Sequence, residues 1–307
     1  MIGRISHGFV SPNKRDRTII VNPHMSFDEM KCYCALFLSE LKSFERAKYI
    51  GIPIVFFDKD IDSLINGDVV EIFPDGKINV LYQIKSRHNI IFATSKCNSK
   101  CVMCPQPVDL TEGNITDKNL DLISLIDKSA NELAITGGEP TVIGKDLFRL
   151  ILGCKEFLPD TSLLLLTNAR RFSDYNYTHF FSSIRHPNMT VGIALYGDND
   201  IEHDFIVGST GAFNETIKGI LNLATFGNQL EIRTVIHKYT YKNLTRIAEY
   251  AYRNMTFVRH VAIMGMETIG HAKDNLLSLW IEPSKMLDPL EESIHYLRQR
   301  GMNVSIY

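Results

Sequence analysis

The chain has 307 residues, 45% of them hydrophobic and 22% charged, with a formal net charge of −2. That balance allows a substantial core in one large or two unequal domains, and gives no electrostatic case for nucleic acid or an anionic membrane as the main partner. No apolar run approaches the ~20 residues that span a bilayer, and the N-terminus, with Arg4 and His7 and no apolar core, does not read as a signal peptide. Six cysteines, three of them clustered, suit a reducing compartment, and the expected location is the cytoplasm.

Residues 1–88 read as a small α+β module. A strand at Arg17-Thr18-Ile19-Ile20-Val21 leads to a helix announced by the capping box Ser26-Phe27-Asp28-Glu29. Met30, Cys34, Phe37, Leu38 and Leu41 would then share one helical face. A second strand follows at Ile54-Val55-Phe56-Phe57. A hairpin comes next, from Val69 to Phe73, through a turn at Asp75-Gly76, to Lys77–Tyr82. Its outer edge offers a place where an extended peptide could add as a strand.

From residue 89 onward strands and helices alternate. Strands are predicted over 89–94, 131–136, 162–168, 190–196, 230–236 and 258–265. Helical patterns fill the gaps, for instance Leu120 to Lys128, Lys145 to Phe157 and Asn243 to Tyr252. Alternation over this length argues for an α/β fold, a parallel sheet covered by helices. In such barrels the chemistry gathers in the loops beyond the C-terminal strand ends. A last helix opens at Ser284 and closes near Gly301, before a final strand at Met302-Asn303-Val304-Ser305-Ile306. No repeat of solenoid period and no low-complexity linker interrupts the chain.

The most informative stretch is Cys97-Asn98-Ser99-Lys100-Cys101-Val102-Met103-Cys104-Pro105, directly after the first strand of this alternation. Three thiolates at C-x3-C-x2-C spacing hold a metal or cluster with one coordination position to spare. A closed zinc site wants a fourth Cys or His nearby, and the next thirty residues supply none. An iron–sulfur cluster with one open iron fits better, while a zinc loop or three core cysteines remain the alternatives. One strand later, Glu132-Leu133-Ala134-Ile135-Thr136 runs into Gly137-Gly138-Glu139-Pro140. Glycines let backbone approach a ligand closely, and a carboxylate accepts from an ammonium; a plain strand-to-helix turn is the alternative.

Together these motifs resemble the radical S-adenosylmethionine (SAM) superfamily. The phrase from Ala93-Thr94-Ser95-Lys96-Cys97 to Cys104-Pro105-Gln106-Pro107 resembles a narrower group, the HxsC-type maturases of the His-Xaa-Ser repeat peptide system. The resemblance implies an open (βα)6 partial TIM barrel over residues 89–307 beside the 1–88 module. It implies a [4Fe-4S] cluster on Cys97, Cys101 and Cys104, with SAM on the fourth iron. A reduced cluster would split a C–S bond of SAM, and the resulting 5′-deoxyadenosyl radical would abstract a hydrogen from substrate. Gly137, Gly138, Glu139 and Pro140 would form the edge that meets the SAM amino group. Asn168 and Tyr196, at the ends of the third and fourth strands, would face its ribose and carboxylate. Ile263 and Met264 partly match the family's adenine-side motif, although Val261 replaces its first Gly and Glu267 comes one residue early. Met103 stands where the family has an aromatic, and Met is polarizable enough to pack on an adenine face.

The implied partners are a precursor peptide with His-Xaa-Ser repeats, a sister radical SAM maturase and an external one-electron donor, with no nucleic acid or membrane. No cysteine follows Cys154, so an auxiliary cluster finds no ligands in this sequence. Two other readings compete: a radical SAM enzyme acting on a small molecule or an RNA base, and a non-catalytic partner of a sister maturase. Blander readings cover the remaining reactive residues. Cys34 and Cys154 fall on apolar helical faces and read as core, and Cys32 points away from Cys34. His203-Asp204 reads as a surface loop pair. His237 and His271 read as solvated loop histidines on the functional face.

Overall fold

The computed structural model describes residues 1–57, 63–106, 111 and 113–307, so Pro107 of the cysteine phrase lies outside the described residues. The chain forms two compact units.

The first unit takes Met1–Ile90, Asp117–Glu132 and Gly153–Thr161. Its sheet holds β1 (Ile2–Ser6), β2 (Thr18–Val21), β3 (Ala35–Leu38), β4 (Ile54–Phe56), β5 (Val69–Ile72) and β6 (Ile78–Tyr82), in the order β4-β3-β2-β1-β5-β6. Strands β1 to β4 pair in parallel, while β5 pairs antiparallel with both β1 and β6. The hairpin stands where its turn residues put it, closed by Phe73 N donating to Lys77 O at 2.9 Å. The capping box also forms, Ser26 and Glu29 satisfying each other's backbone.

The helix that box was expected to start lasts one turn, α1 (Phe27–Met30), and the chain then extends into β3. All four β3 residues are buried because the strand lies inside a parallel array. A short, wholly apolar run carries no period that separates buried strand from helix. Cys34, at its edge, packs against the core of Ile5, Ile19 and Phe37. After α2 (Leu41–Ala47), the unit also takes in most of α3 (Thr116–Leu125). An Arg4–Asp127 ion pair and Arg17 donating to Ser124 Oγ at 2.7 Å secure the residues that follow and line it.

The second unit takes Ile91–Thr116, Leu133–Leu152 and Ser162–Tyr307. Its seven strands are β7 (Ile90–Phe92), β8 (Glu132–Thr136), β9 (Ser162–Thr167), β10 (Met189–Ala194), β11 (Gln229–Val235), β12 (His260–Met264) and β13 (Asn303–Ile306). They lie side by side in chain order. From β9 to β13 every neighbouring pair is parallel. The crossovers carry α4 (Lys145–Phe157), α5 (Tyr175–Ser183), α6 (Asp200–Val207), α7 (Ala212–Thr225), α8 (Leu244–Asn254), α9 (His271–Asp274), α10 (Leu276–Leu279) and α11 (Leu287–Gln299).

Side-chain parity gives this sheet two unlike faces. Leu163, Leu165, Val191, Ile193, Leu230, Ile232, Val261 and Ile263 form the buried one. Burial of such side chains is worth about 1.5–3 kcal/mol each. The other face, with Leu164, Leu166, Arg233 and Met264, is only partly buried and is the inner face of the half-barrel, called the channel face below. The sheet is the curled half-barrel expected from the alternation.

Candidate functional site

The cysteine loop follows β7 and is held by backbone from three directions. Gly138 N donates to Thr94 O at 2.6 Å and Glu139 N to Lys96 O at 2.8 Å, joining it to the loop after β8. Lys100 N donates to Val207 O at 2.9 Å and Val102 N to Ile206 O at 3.0 Å, joining it to the end of α6. His271 N donates to Cys104 O, and Asn275 Nδ2 to Val102 O, both at 2.9 Å, joining it to α9 and the residue before α10. The two glycines are required by this contact. A Cβ on Gly137 would overlap the Thr94 carbonyl, and one on Gly138 the Lys96 carbonyl. The glycines thus admit a neighbouring loop of the protein, which the sequence could not separate from admitting a ligand.

Glu139 is only 1% exposed. One carboxylate oxygen accepts from Thr141 N at 2.9 Å, Thr141 Oγ1 at 2.6 Å and Thr167 Oγ1 at 2.7 Å; the other accepts from Asn168 N at 2.7 Å. Three of the four donors crowd onto one oxygen, and the other oxygen holds one. The side chain therefore ties the end of β8 to the end of β9, and the backbone of Gly137, Gly138 and Glu139 runs into buried Pro140.

The lattice continues through Asn168, whose Nδ2 donates to Asn98 Oδ1 at 2.6 Å inside the cysteine loop. Ala169 then takes the left-handed conformation, φ 60°, which costs a non-glycine residue about 1–2 kcal/mol. Arg170 explains why the turn persists. Its guanidinium donates to Asn98 O at 2.5 Å, Ser99 Oγ at 3.1 Å and Ser209 Oγ at 2.9 Å, and pairs with Glu215 at 2.6 Å. Arg170 was not singled out from the sequence. Its one signal is its place two residues beyond Asn168 in Thr167-Asn168-Ala169-Arg170.

The three thiols disturb one another. Burial raises all three; burial first, then the charges of Cys104 and Cys97, push Cys101 up to about 12, and Cys104 also raises Cys97. Cys104 Sγ lies 2.8 Å from Gln106 O. Among the described residues no three His, Cys, Asp or Glu side chains converge tightly enough for a single ion. Three partly buried thiols on one short loop suit a multi-iron cluster, which spreads its sulfur ligands over separate metals and whose cationic irons favour the thiolate form that burial opposes. The donor set fits the [4Fe-4S] group.

Beneath the loop lies a small core of Met103, Tyr196, Ile206, Val207, Ala212, Ala272 and Leu279, with Cys101 and Met266 at its margin. Met103 is only 4% exposed and packs into this core, correcting the expectation that it covers an adenine face. The Tyr196 ring is likewise buried, stacked on His203 at 6.0 Å, and burial with the nearby cysteine charges raises its hydroxyl pKa. His203 is a second correction: it belongs to α6, 2% exposed, and its Nδ1 accepts from Tyr196 N at 3.3 Å. Burial holds its pKa down to about 4. Asp204 caps the next turn, accepting from Phe213 N at 2.7 Å.

His237 is a third correction, fully buried just past β11 and held near pKa 4 by burial, with Nε2 lacking a hydrogen-bond partner among the described residues. His271 opens α9, half-exposed, 3.8 Å from Asp274. Cys154 is core as expected, and Cys32 is exposed. Ile263 and Met264 fall on opposite faces. Ile263, 2% exposed, faces away from the channel, so of the pair only Met264 presents its side chain there.

No protein-family model matches the chain. A cysteine-type anaerobic sulfatase-maturating enzyme of Clostridium novyi is 26% identical over 171 residues, which is 50% of this chain and 45% of that protein. Among solved structures, Streptococcus suis SuiB bound to the precursor peptide SuiA superposes with a TM-score of 0.59 at 15% identity, over 74% of this chain and 49% of that one. The anSMEcpe protein with bound AdoMet and Kp18Cys peptide gives 0.55 at 18% identity, over 71% and 62%. Escherichia coli coproporphyrinogen III oxidase (HemN), a radical SAM enzyme, gives 0.50 at 15% identity, over 70% and 52%. The chain spans about half the length of the maturase it matches. The fold is the partial barrel that these solved structures share.

Proposed function

We propose that this protein is a radical SAM peptide maturase that uses a [4Fe-4S] cluster on Cys97, Cys101 and Cys104. The single observation that carries this reading is one short loop that bears three partly buried thiols and is held from three directions by the loop after β8, the end of α6 and α9. When bound, the cluster supplies the electron that cleaves SAM, drawn from an external one-electron donor. The chain's own residues fix the geometry. The lattice of Glu139, Asn168 and Arg170 sets the loop, and the Gly137-Gly138 backbone forms the edge for the SAM amino group. Asn168 flanks the cofactor, Tyr196 supports the loop from the core beneath it, and Met264 lies on the adenine side.

The finer reading is a precursor peptide with His-Xaa-Ser repeats, processed with a sister maturase. The cysteine phrase supports it, as does similarity to proteins solved with peptides. The N-terminal module would read the peptide along the β6 edge, where Val80 is exposed. Anaerobic reconstitution tests the first claim. About four irons per chain should bind, and 5′-deoxyadenosine should form from SAM with a strong reductant. The triple Cys97→Ala, Cys101→Ala, Cys104→Ala variant should lose both. Iron bound at full stoichiometry without SAM cleavage would favour the non-catalytic partner.

A further inference from the structure

A second polar group lies on the channel face, on β11 to β13. Glu231 and Arg233 stand two apart on β11 and so share its channel face. The register sets Glu231 beside His260 on β12, and Ala262 beside Ser305 on β13. The side chains link in series. Arg233 pairs with one carboxylate oxygen of Glu231, the other lies 2.6 Å from His260 Nδ1, and His260 Nε2 lies 2.9 Å from Ser305 Oγ. Arg233 Nη2 is also 2.9 Å from the sulfur of Met264, the residue on the adenine side. Whatever rests on Arg233 therefore rests beside the cofactor position.

The neighbouring strand makes room for this arginine. A Cβ added to Gly192 on β10 would stand 3.0 Å from Arg233 Cδ, and 3.1 and 3.2 Å from Leu166 and Leu164. Glycine is otherwise a poor choice inside a strand, since it packs nothing and costs chain entropy. Here it lets a guanidinium stem cross the channel wall.

The hydrogen-bond count and the local charge define the ligand. A guanidinium has five N–H donors. Among the described residues Arg233 hydrogen-bonds only Glu231 and Met264, with its side chain 17% exposed. Donors so placed are costly to bury without an acceptor. Glu231 already neutralises the charge, so an arriving carboxylate or phosphate would leave a net negative charge on this largely buried pair. A neutral carbonyl brings no such penalty.

We propose that Arg233 binds an uncharged carbonyl oxygen of the substrate, a peptide backbone or carboxamide group, and that Glu231, His260 and Ser305 are positioning residues that hold its fork. This rests on the peptide-maturase reading above. It adds a substrate-reading residue and a charge preference that reading does not contain.

The test is calorimetric titration of the reconstituted, SAM-loaded protein with Ac-His-Ala-Ser-NH2, and with the same peptide bearing a free C-terminal carboxylate, in one buffer at one pH. The wild type should bind the blocked peptide about fivefold more tightly than the carboxylate form. Arg233→Met should weaken blocked-peptide binding by about tenfold while SAM affinity stays within about twofold. Arg233→Lys keeps the charge and loses the fork, so it should fall between the two, and it decides the matter if the Met variant does not fold. No binding of the blocked peptide to the wild type, tighter binding of the carboxylate form, or unchanged affinity in the variants would overturn the proposal. Failure of the underlying reading registers elsewhere, as no 5′-deoxyadenosine from the reduced, SAM-loaded wild type.

Discussion

Strand β9 puts four leucines in a row, Leu163 to Leu166, and sends them alternately to opposite faces of one sheet. Leu163 and Leu165 are no more than 2% exposed, while Leu164 and Leu166 are only partly buried on the channel face. The same contrast runs across the sheet. Val191, Ile193, Leu230 and Ile232 on one face are wholly buried, and Arg233, His260 and Met264 on the other keep some access to solvent. One face is consumed by packing and has no capacity left for a ligand. The other is left incompletely packed, and there polar side chains have reason to be held in place.

The largest break of this comparison would come from β9 itself. Leu165→Ala should cost about 2–5 kcal/mol, because a fully packed site leaves a cavity. Leu166→Ala, at a partly buried position, should cost about 1 kcal/mol or less, since less contact is lost. Urea unfolding of the two variants reads both values, and equal losses would show that the two faces are packed alike.

A smaller effect belongs to the lattice above the channel. Glu139→Gln keeps the shape but turns one acceptor oxygen into an amide donor facing hydroxyl and N–H groups. The expected loss is roughly 2 kcal/mol, with a matching drop in Tm and a lower iron content after reconstitution. Unchanged iron content would mean that the loop holds its form without that carboxylate.

The smallest effect is a pH slope. The folded-state pKa of His237, held down to about 4, lies below the ordinary imidazole value of 6.5. The unfolded chain therefore takes up the proton first. This contribution is fully present above 6.5 and is lost as pH falls toward 4. His237→Asn keeps an acceptor for Tyr239 N and should flatten the acid side of a Tm-versus-pH curve, with His203 retaining its own share. An unaltered curve would show that the buried imidazole does not set acid stability.

The alternation from residue 89 onward was legible because its signals are local. Val191 to Leu195 and Leu230 to Ile236 declare strands by composition, and Lys145 to Phe157 declares a helix by period. The cysteine spacing was legible for the same reason, since three thiols on nine residues must share one loop. Less was legible in β3, where Ala35 to Leu38 is too short and too uniformly apolar to show a period. The predicted helix there overran its single turn.

The sequence by itself determined which segments are strands and helices, and which loop bears the sulfurs, because propensity, periodicity and spacing act within about a dozen residues. Only the tertiary structure decided that Glu139 is spent on Thr167 and Asn168, that Arg170 clasps Asn98 across 72 residues, and that Arg233, Glu231, His260 and Ser305 meet on one wall. Those partners are set by strand order and register. A shift of one residue in register would turn every one of these side chains to the opposite face.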